Sequence, residues 1–204
     1  MSFSRTCMRL MRAALLMLSA IFVTACAVAP PSPPIDVPAR ATLSAFSLEG
    51  RFSLRNEDRS YAGRLSWRHA SGGDQVLLSS PLGQGLAEIV SDANGARLTT
   101  SDGKVYAALD AETLTRDVLG YPLPLAQLTD WVRGRLRDAD ESASDSFGRP
   151  LSQRAALWRI EYGYENDDPA APPNRIFAER VGGGLELRLR IDEWSRIPSE
   201  ASNP

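Results

Sequence analysis

The sequence predicts a mainly β fold in which an antiparallel sheet carries two short helices on one face. Three observations predict it: apolar and polar residues alternate near both ends of the mature chain, glycine-containing turns separate the alternating segments, and helical patterns occur only between them. Alternation with a period of two buries one face of a strand and leaves the other in water. Strands, then helices, then strands again indicate a sheet covered on one face.

The first predicted strand shows the alternation most clearly. Phe46, Leu48, Phe52 and Leu54 share one parity, and Gly50 interrupts it, which indicates a bend or a close backbone approach. Further strands are predicted at Leu65–Trp67, Gln75–Ser79, Leu86–Val90, Trp158–Tyr164 and Leu185–Ile191. Turn signals at 71–74, 94–95, 102–103 and 182–184 separate them.

Two helices are predicted in the middle of the chain. The first runs to Leu119, with Asp110 as its N-cap and Gly120 as its stop. The second has Pro124 in its first turn and is closed by Gly134. Both are short, so they cover only part of the sheet. Whether they seal its apolar face into a dry core or leave a cleft stays open at this point.

The N-terminus has the parts of a secretory leader. Arg5, Arg9 and Arg12 precede an apolar run that is shorter than the roughly 20 residues of a spanning helix, and Val23-Thr24-Ala25-Cys26 follows. This ending resembles the lipobox of bacterial lipoproteins, in which the cysteine receives diacylglycerol and the new amine is acylated after cleavage. The other interpretation is an ordinary signal peptide followed by an incidental cysteine.

The domain organisation follows from these patterns. Residues 1–25 are predicted to be a leader that is removed, and residues 26–42 the lipidated cysteine and a tether. Five prolines within 27–40 favour an extended, semi-rigid chain there. The folded domain is expected at 43–198 and a C-terminal tail at 199–204. Within the domain, residues 138–149 are predicted to form an exposed loop.

Composition and motifs argue against several functional classes. The formal net charge is −2, and nucleic-acid binding requires a basic face, so no nucleic-acid partner is expected. His69 is the only histidine and is interpreted as a surface turn residue, while Lys104, the only lysine, belongs to no phosphate-binding loop. The acidic clusters lack the spacing of a calcium loop. No enzyme activity, metal or cofactor is expected.

The most informative segment is the turn that contains Pro81, Leu82 and Gly83. Proline fixes one turn position, and glycine can adopt a positive φ at the next position but one. Leu82 then either folds back onto Leu86 or points outward at the tip, where it forgoes roughly 1.5–3 kcal/mol of burial. An outward leucine on a lipid-tethered domain suits contact with a membrane or a lipid chain.

The order of these motifs resembles the LolB family of outer-membrane lipoprotein receptors. The matching residues are Phe46-x-Leu-x-Gly-Arg51, Trp67, Pro81-Leu82-Gly83, Leu123-Pro-Leu-x-x-Leu-x-x-Trp131-x-x-Gly134 and Trp194, over about residues 45–194. The resemblance implies a half-open antiparallel β-barrel with helices covering its apolar concave face. It also implies acylated lipoproteins as cargo, the periplasmic carrier LolA as partner, and Leu82 in delivery to the membrane.

The same resemblance implies the location and the state of the protein. Cys26 would hold a monomer on the periplasmic face of the outer membrane. Ala27 follows Cys26, whereas in enterobacterial lipoproteins an aspartate there favours the inner membrane. Two alternatives remain: a carrier for another amphiphile, such as a glycolipid or phospholipid, and an assembly lipoprotein that binds a partner peptide.

An apolar cavity for acyl chains would be lined by inward residues of the sheet and by the second helix. The candidates are Phe52, Trp67, Leu78, Leu128, Trp131, Trp158, Ile160 and Leu189. For each of them, packing in an ordinary core is the competing interpretation.

Overall fold

A computed structural model describes residues 43–57, 59–135 and 139–196. Within these residues the chain forms eleven strands and two helices. The elements are β1 (Phe46–Asn56), β2 (Arg59–Ala70), β3 (Gly73–Ser79), β4 (Gly85–Asp92), β5 (Gly95–Thr100), β6 (Val105–Ala108), α1 (Ala111–Leu119), α2 (Leu125–Val132), β7 (Glu141–Ser144), β8 (Pro150–Ala155), β9 (Trp158–Gly163), β10 (Arg175–Arg180) and β11 (Leu185–Arg196).

All eleven strands belong to one antiparallel sheet. Its order is β6-β5-β4-β3-β2-β1-β11-β10-β9-β8-β7, so two meanders meet where β1 pairs with β11. The helices connect the two meanders, and α1 packs beside β5 and β6. The sheet is open at β6 and β7, which confirms the predicted mainly β fold with an open antiparallel sheet and short helices.

One continuous apolar core lies between the sheet and the helices. The inward parity of β1 and β2 supplies Phe46, Leu48, Leu54, Leu65 and Trp67, each at most 5% exposed. The partner strand β11 supplies Leu185, Leu187, Leu189 and Ile191 in the same way. The alternation in the sequence therefore predicted which face of these strands is buried.

Gly50 allows β1 and β11 to approach closely. The pairing register shifts between Glu49 and Gly50, which marks a β-bulge. A Cβ atom at Gly50 would lie 2.3 Å from the carbonyl oxygen of Arg190, so no other residue fits there without a backbone shift. The predicted close approach is confirmed.

The helix boundaries follow the capping signals. The Asp110 carboxylate accepts a hydrogen bond from the Thr113 amide at 2.7 Å, and this bond lowers the pKa of Asp110. Gly120 ends α1 in the left-handed conformation with φ of 89°. Pro124 sits just before the first residue of α2, not inside its first turn as predicted, while Gly134 follows the helix with φ of 64°.

Two sequence-based interpretations are wrong. The predicted exposed loop at 138–149 contains the edge strand β7, which is exposed along its whole length and therefore shows no alternation. His69 lies inside β2, not in a surface turn. Its Nδ1 is 2.8 Å from the Asp74 carboxylate, which also accepts a hydrogen bond from Trp67. The ring centroids of His69 and Phe46 are 5.0 Å apart.

Candidate functional site

The inner face of the sheet is not completely filled, and an apolar cavity of about 460 Å³ remains. Strands β1 to β5 and β11 form its walls, and α1, α2 and the segment between them cover it. The described residues that line it carry no charge, and only Ser60, Tyr61, Trp67 and Thr100 among them bear a polar side-chain atom; that of Trp67 donates to Asp74. Such a cavity suits a ligand that is held by apolar contact and not by directional hydrogen bonds.

The floor of the cavity lies midway along β3, β4 and β5, and its opening lies toward one end of these strands. Trp67, Val76, Ile89 and Leu98 are at most 5% exposed and form its floor. The exposed lining residues are Ser60, Tyr61 and Ala62 at the start of β2, and Leu86 at the start of β4. We name this end of the sheet, with Tyr61, Leu86 and the 80–84 loop, the mouth end.

Leu86 reaches the lining because of a local irregularity in the strand. Leu78 pairs with Ala87 and Ser79 pairs with Gly85, so Leu86 is the extra residue of a β-bulge. Strict alternation would place Leu86 and Ala87 on opposite faces of the sheet, whereas both contribute to the cavity. The bulge therefore adds a leucine, 40% exposed, at the rim.

The cover of the cavity is held by a buried threonine. Thr115 is 0% exposed, and its hydroxyl donates to the Ala111 carbonyl at 2.9 Å while it accepts from the Leu123 amide at 2.9 Å. The second bond ties the segment after α1 back onto that helix. Leu119 and Leu123, on either side of this turn, are thereby placed in the lining.

The loop beside the mouth displays Leu82 to solvent. The Ser80 amide donates to the Gln84 carbonyl at 2.7 Å, the Gly83 amide donates to the Ser80 carbonyl at 2.9 Å, and Gly83 has φ of 88°. These bonds close a tight turn whose tip side chain points away from the sheet. Leu82 is 98% exposed, so it does not fold back onto Leu86.

The structure divides the eight cavity candidates into two groups. Those that line the cavity are Phe52, Trp67, Leu78, Leu128 and Leu189. Those that do not line it are Trp131, Trp158 and Ile160.

The second group corrects the prediction. Leu125 and Leu128 of α2 face the cavity, whereas Trp131 packs against Trp158 with ring centroids 5.5 Å apart. Ile160 follows on the same face of β9 as Trp158 and is fully buried. These three residues fill the core under the other half of the sheet.

Sequence reasoning missed much of the lining. The missed residues include Leu54, Leu65, Val76, Ile89 and Leu98, which have the inward parity of their strands, and Val118, Leu119, Leu123 and Leu125 from the cover. The alternation of each strand could have identified the first group, because these residues point to its inward face. The lining residues from the cover could not be identified in this way, because their position depends on how the helices dock on the sheet. Cys26, the predicted lipidation site, lies outside the described residues.

The described residues give no indication of two other kinds of site. None of their histidine, cysteine, aspartate and glutamate side chains form a group of three that could hold a metal ion. Across the part of the chain that the structure describes, neither helix is long and apolar enough to cross a membrane.

An open antiparallel sheet with an uncharged cavity under two helices defines a protein that binds apolar ligands. The family model described as outer membrane lipoprotein LolB matches residues 44–194. The chain belongs to the LolB family.

Relatives of this family cover most of the chain. An outer-membrane lipoprotein LolB from Dechloromonas aromatica is 40% identical over 188 residues, 90% of this chain and 97% of the relative. Another from Thiobacillus denitrificans is 40% identical over 176 residues, 85% of this chain and 91% of the relative.

A solved structure shares the fold at low identity. It is a Vibrio parahaemolyticus domain provisionally assigned to outer membrane lipoprotein sorting, with a TM-score of 0.50 and 12% identity. The match covers 81% of this chain and 91% of that domain.

Proposed function

We propose that the cavity receives the acyl chains of lipoproteins brought by the periplasmic carrier LolA and releases them to the outer membrane. The observation that carries this proposal is the position of an uncharged apolar cavity whose mouth lies beside an almost fully exposed leucine, Leu82. Cys26, acylated, would hold the domain on the periplasmic face of that membrane. Membership of the LolB family supports the receptor role.

The physical need for a receptor follows from the cost of exposing lipid to water. Three acyl chains contain on the order of 45 methylenes, and at about 0.8 kcal/mol each their exposure costs on the order of 36 kcal/mol. A lipoprotein therefore crosses the periplasm only with its chains covered. Each exchange between carrier, receptor and bilayer must keep them out of water.

The direction of transfer must come from differences in affinity. The sequence contains no phosphate-binding loop that would couple transfer to a nucleotide. An apolar lining with few polar groups holds chains firmly but without specific bonds that must be broken at release. The bilayer offers the same apolar contact without the limit of cavity volume, so the chains move from the cavity into the membrane.

The proposal is tested by mixing a lipid-free form of the domain, starting after residue 26, with a preformed complex of LolA and an acylated lipoprotein. The lipoprotein should co-purify with the domain after mixing. If it stays on LolA while circular dichroism shows that the domain is folded, the receptor function is wrong. Organic extraction of the purified domain would then separate the two alternatives. An extracted glycolipid or phospholipid would indicate a carrier for that amphiphile. The absence of extractable lipid would be the result expected for a protein that binds a partner peptide.

A further inference from the structure

Four arginines stand side by side on the outer face of the sheet. Arg64 of β2 pairs with Arg51 of β1, and Arg51 pairs with Arg190 of β11. Arg190 in turn pairs with Arg175 of β10, and all four residues are exposed. Neighbouring strands lie roughly 4.8 Å apart, so the four positive charges form a line about 14 Å long. We name these four residues the arginine row.

This arrangement is unfavourable for the fold by itself. Like charges that lie opposite each other on neighbouring strands repel, and the row contains three such pairings in succession. The Asp192 carboxylate lies 2.8 Å from Arg51 and 3.6 Å from Arg190. Arg64 and Arg175, at the two ends of the row, form no ion pair with a described residue. On a chain whose formal net charge is −2, this local excess of positive charge points to an external anion.

The row borders a groove of about 720 Å³ on the outer face. Three members of the row line it, and Arg188 adds a fourth positive charge against one carboxylate in the lining, that of Glu161. The inward lining residues of the same strands, such as Leu189 and Ile176, belong to the core. Of the outward side chains that line the groove, only Phe177 is apolar, and the Arg188 guanidinium lies 5.2 Å from the centre of its ring.

The composition of the groove favours lipid headgroups over a polypeptide. Protein interfaces depend on apolar and aromatic anchors in their core, where charged residues are depleted. The groove offers a single aromatic ring, and a guanidinium already lies over it. Guanidinium groups bind phosphate oxygens through two parallel hydrogen bonds, so a row of them suits several neighbouring phosphates.

The position of the row also favours a lipid surface. Arg64 pairs with Ser79, the last residue of β3 before the 80–84 loop of the mouth end. The tip of that loop at Leu82 is three residues farther along the chain, which is at most about 10 Å. A bilayer that meets the mouth end therefore presents its phosphate groups close to Arg64.

We propose that the arginine row binds the phosphate groups of anionic phospholipids and so holds the domain on the membrane surface. This goes beyond the proposed function, in which the cavity and Leu82 act on the cargo. It rests on that function in one respect, because the mouth end is taken to face the bilayer.

The test measures vesicle binding of residues 27–204, because acyl groups on Cys26 would hold the protein on any bilayer. Vesicles of phosphatidylcholine alone are compared with vesicles that also contain phosphatidylglycerol, without LolA or cargo. Arg64→Gln combined with Arg175→Gln removes the two ends of the row. Thermal unfolding checks that each variant is folded.

The matched control combines Arg97→Gln with Arg154→Gln. These arginines are also exposed but belong to β5 and β8, away from the row, and their replacement removes the same charge. It should bind within twofold of the natural chain.

The natural chain should bind the phosphatidylglycerol vesicles at least tenfold more tightly than the neutral vesicles, and added salt should reduce the difference. The row variant should lose at least tenfold in affinity, since each arginine near an anionic surface contributes roughly fivefold. Equal losses in the two double variants would overturn the proposal, because overall charge would then explain the binding. Displacement by inorganic phosphate at constant ionic strength would overturn it in favour of a free anion, and tighter binding of polyglutamate in favour of an acidic polypeptide.

Failure of this proposal and failure of the proposed function give different results. If the chain does not distinguish the two kinds of vesicle while the lipoprotein still moves from LolA to the domain, the headgroup proposal is wrong and the receptor function stands. If the row binds phosphatidylglycerol while the lipoprotein stays on LolA, the headgroup site is supported and the receptor function is wrong.

Discussion

Leu82 and Leu86 lie four residues apart around the β3–β4 turn, and one is 98% exposed at the tip while the other lines the cavity rim. The turn hydrogen bonds send the first side chain outward, and the β-bulge turns the second inward. The chain thus places two apolar side chains at the mouth end, one in the cavity rim and one in solvent. In the proposed transfer, an acyl chain that leaves past Leu86 would meet Leu82 next.

Leu82→Glu should stop delivery to membranes without affecting the fold. Leu82 is 98% exposed and makes little packing contact, so the free energy of unfolding should change by at most about 0.5 kcal/mol. A carboxylate at the tip opposes contact with lipid. The lipoprotein should still move from LolA to the domain, but its transfer to vesicles should fall at least tenfold.

Leu109→Glu is the matched control for that substitution, because Leu109 is also an exposed leucine, at 89%, but lies beside Gly95 at the β4–β5 turn, away from the mouth end. It should deliver normally. Normal delivery by Leu82→Glu, or equal loss in both variants, would contradict a specific role for the loop.

Ala87→Phe should fill part of the cavity and weaken lipid binding. Ala87 lines the cavity, so the ring can occupy existing space. It would displace on the order of three methylenes of ligand at about 0.8 kcal/mol each, which weakens binding by on the order of 2 kcal/mol, or roughly thirtyfold in Kd. Titration with a fluorescent fatty acid measures this change.

The control for the cavity prediction is Ala107→Phe. Ala107 pairs with Arg97 on the outer face of β5 and β6, and it does not line the cavity. Its binding constant should stay within twofold of the natural chain. Equal affinities for the two variants would show that the ligand binds elsewhere.

Arg133→Ala should destabilise the domain strongly. The guanidinium is buried, and it donates to the Leu43 and Thr129 carbonyls and to the Asp130 carboxylate at 2.6–3.0 Å. Its removal leaves one buried and two partly buried acceptors without these donors and should cost about 3 kcal/mol, or roughly 6–12 °C in Tm. Arg154→Ala serves as the control, because this exposed side chain lies 3.9 Å from its partner Glu141. It should change Tm by less than about 2 °C. Similar losses in both variants, measured by thermal unfolding, would argue against a specific role for the Arg133 hydrogen bonds.

The ion pair between Arg51 and Asp192 should make stability depend on acid pH. The Asp192 carboxylate accepts hydrogen bonds from Arg51 at 2.8 and 3.1 Å, and these bonds hold the pKa of Asp192 below its usual value. The unfolded chain then binds this proton more readily than the folded chain. The stabilisation is therefore present above the unfolded pKa and is lost as pH falls through the lowered folded value.

Asp192→Asn should accordingly be less stable than the natural chain at pH 7, with the difference shrinking toward zero in acid. Urea unfolding at successive pH values measures it, and Arg51→Gln should show the same trend because it removes the donor. A difference that stays constant or grows as pH falls would contradict the role of the pair.

The sequence predicted the elements that have a regular pattern. Half-buried strands such as β1 and β11 alternate over most of their length, and the caps Asp110 and Gly120 have a direct chemical reason to begin and to end a helix. The strand β7 escaped prediction because both of its faces are exposed. Leu86 escaped as a lining residue because a bulge breaks the alternation on which the prediction depends.

The cavity itself required the tertiary structure. Whether a sheet face is sealed depends on the docking of the helices, and the same apolar stripe of α2 sends Leu128 into the cavity and Trp131 toward Trp158. The direction of Leu82 was open for a similar reason. Only the hydrogen bonds that close the turn at residues 80–84 decide between the outward and the folded-back position of its side chain.

If acyl chains lie in this cavity, covalent labelling from within a bound chain should mark the residues that line it. A lipoprotein whose acyl chain carries a photoreactive diazirine is transferred from LolA to the domain, irradiated, and the cross-linked peptides are identified by mass spectrometry. Cross-links are expected at lining residues such as Leu78, Leu98 and Leu128. Cross-links confined to the outer face, for example at Leu77 or Val90, would contradict it.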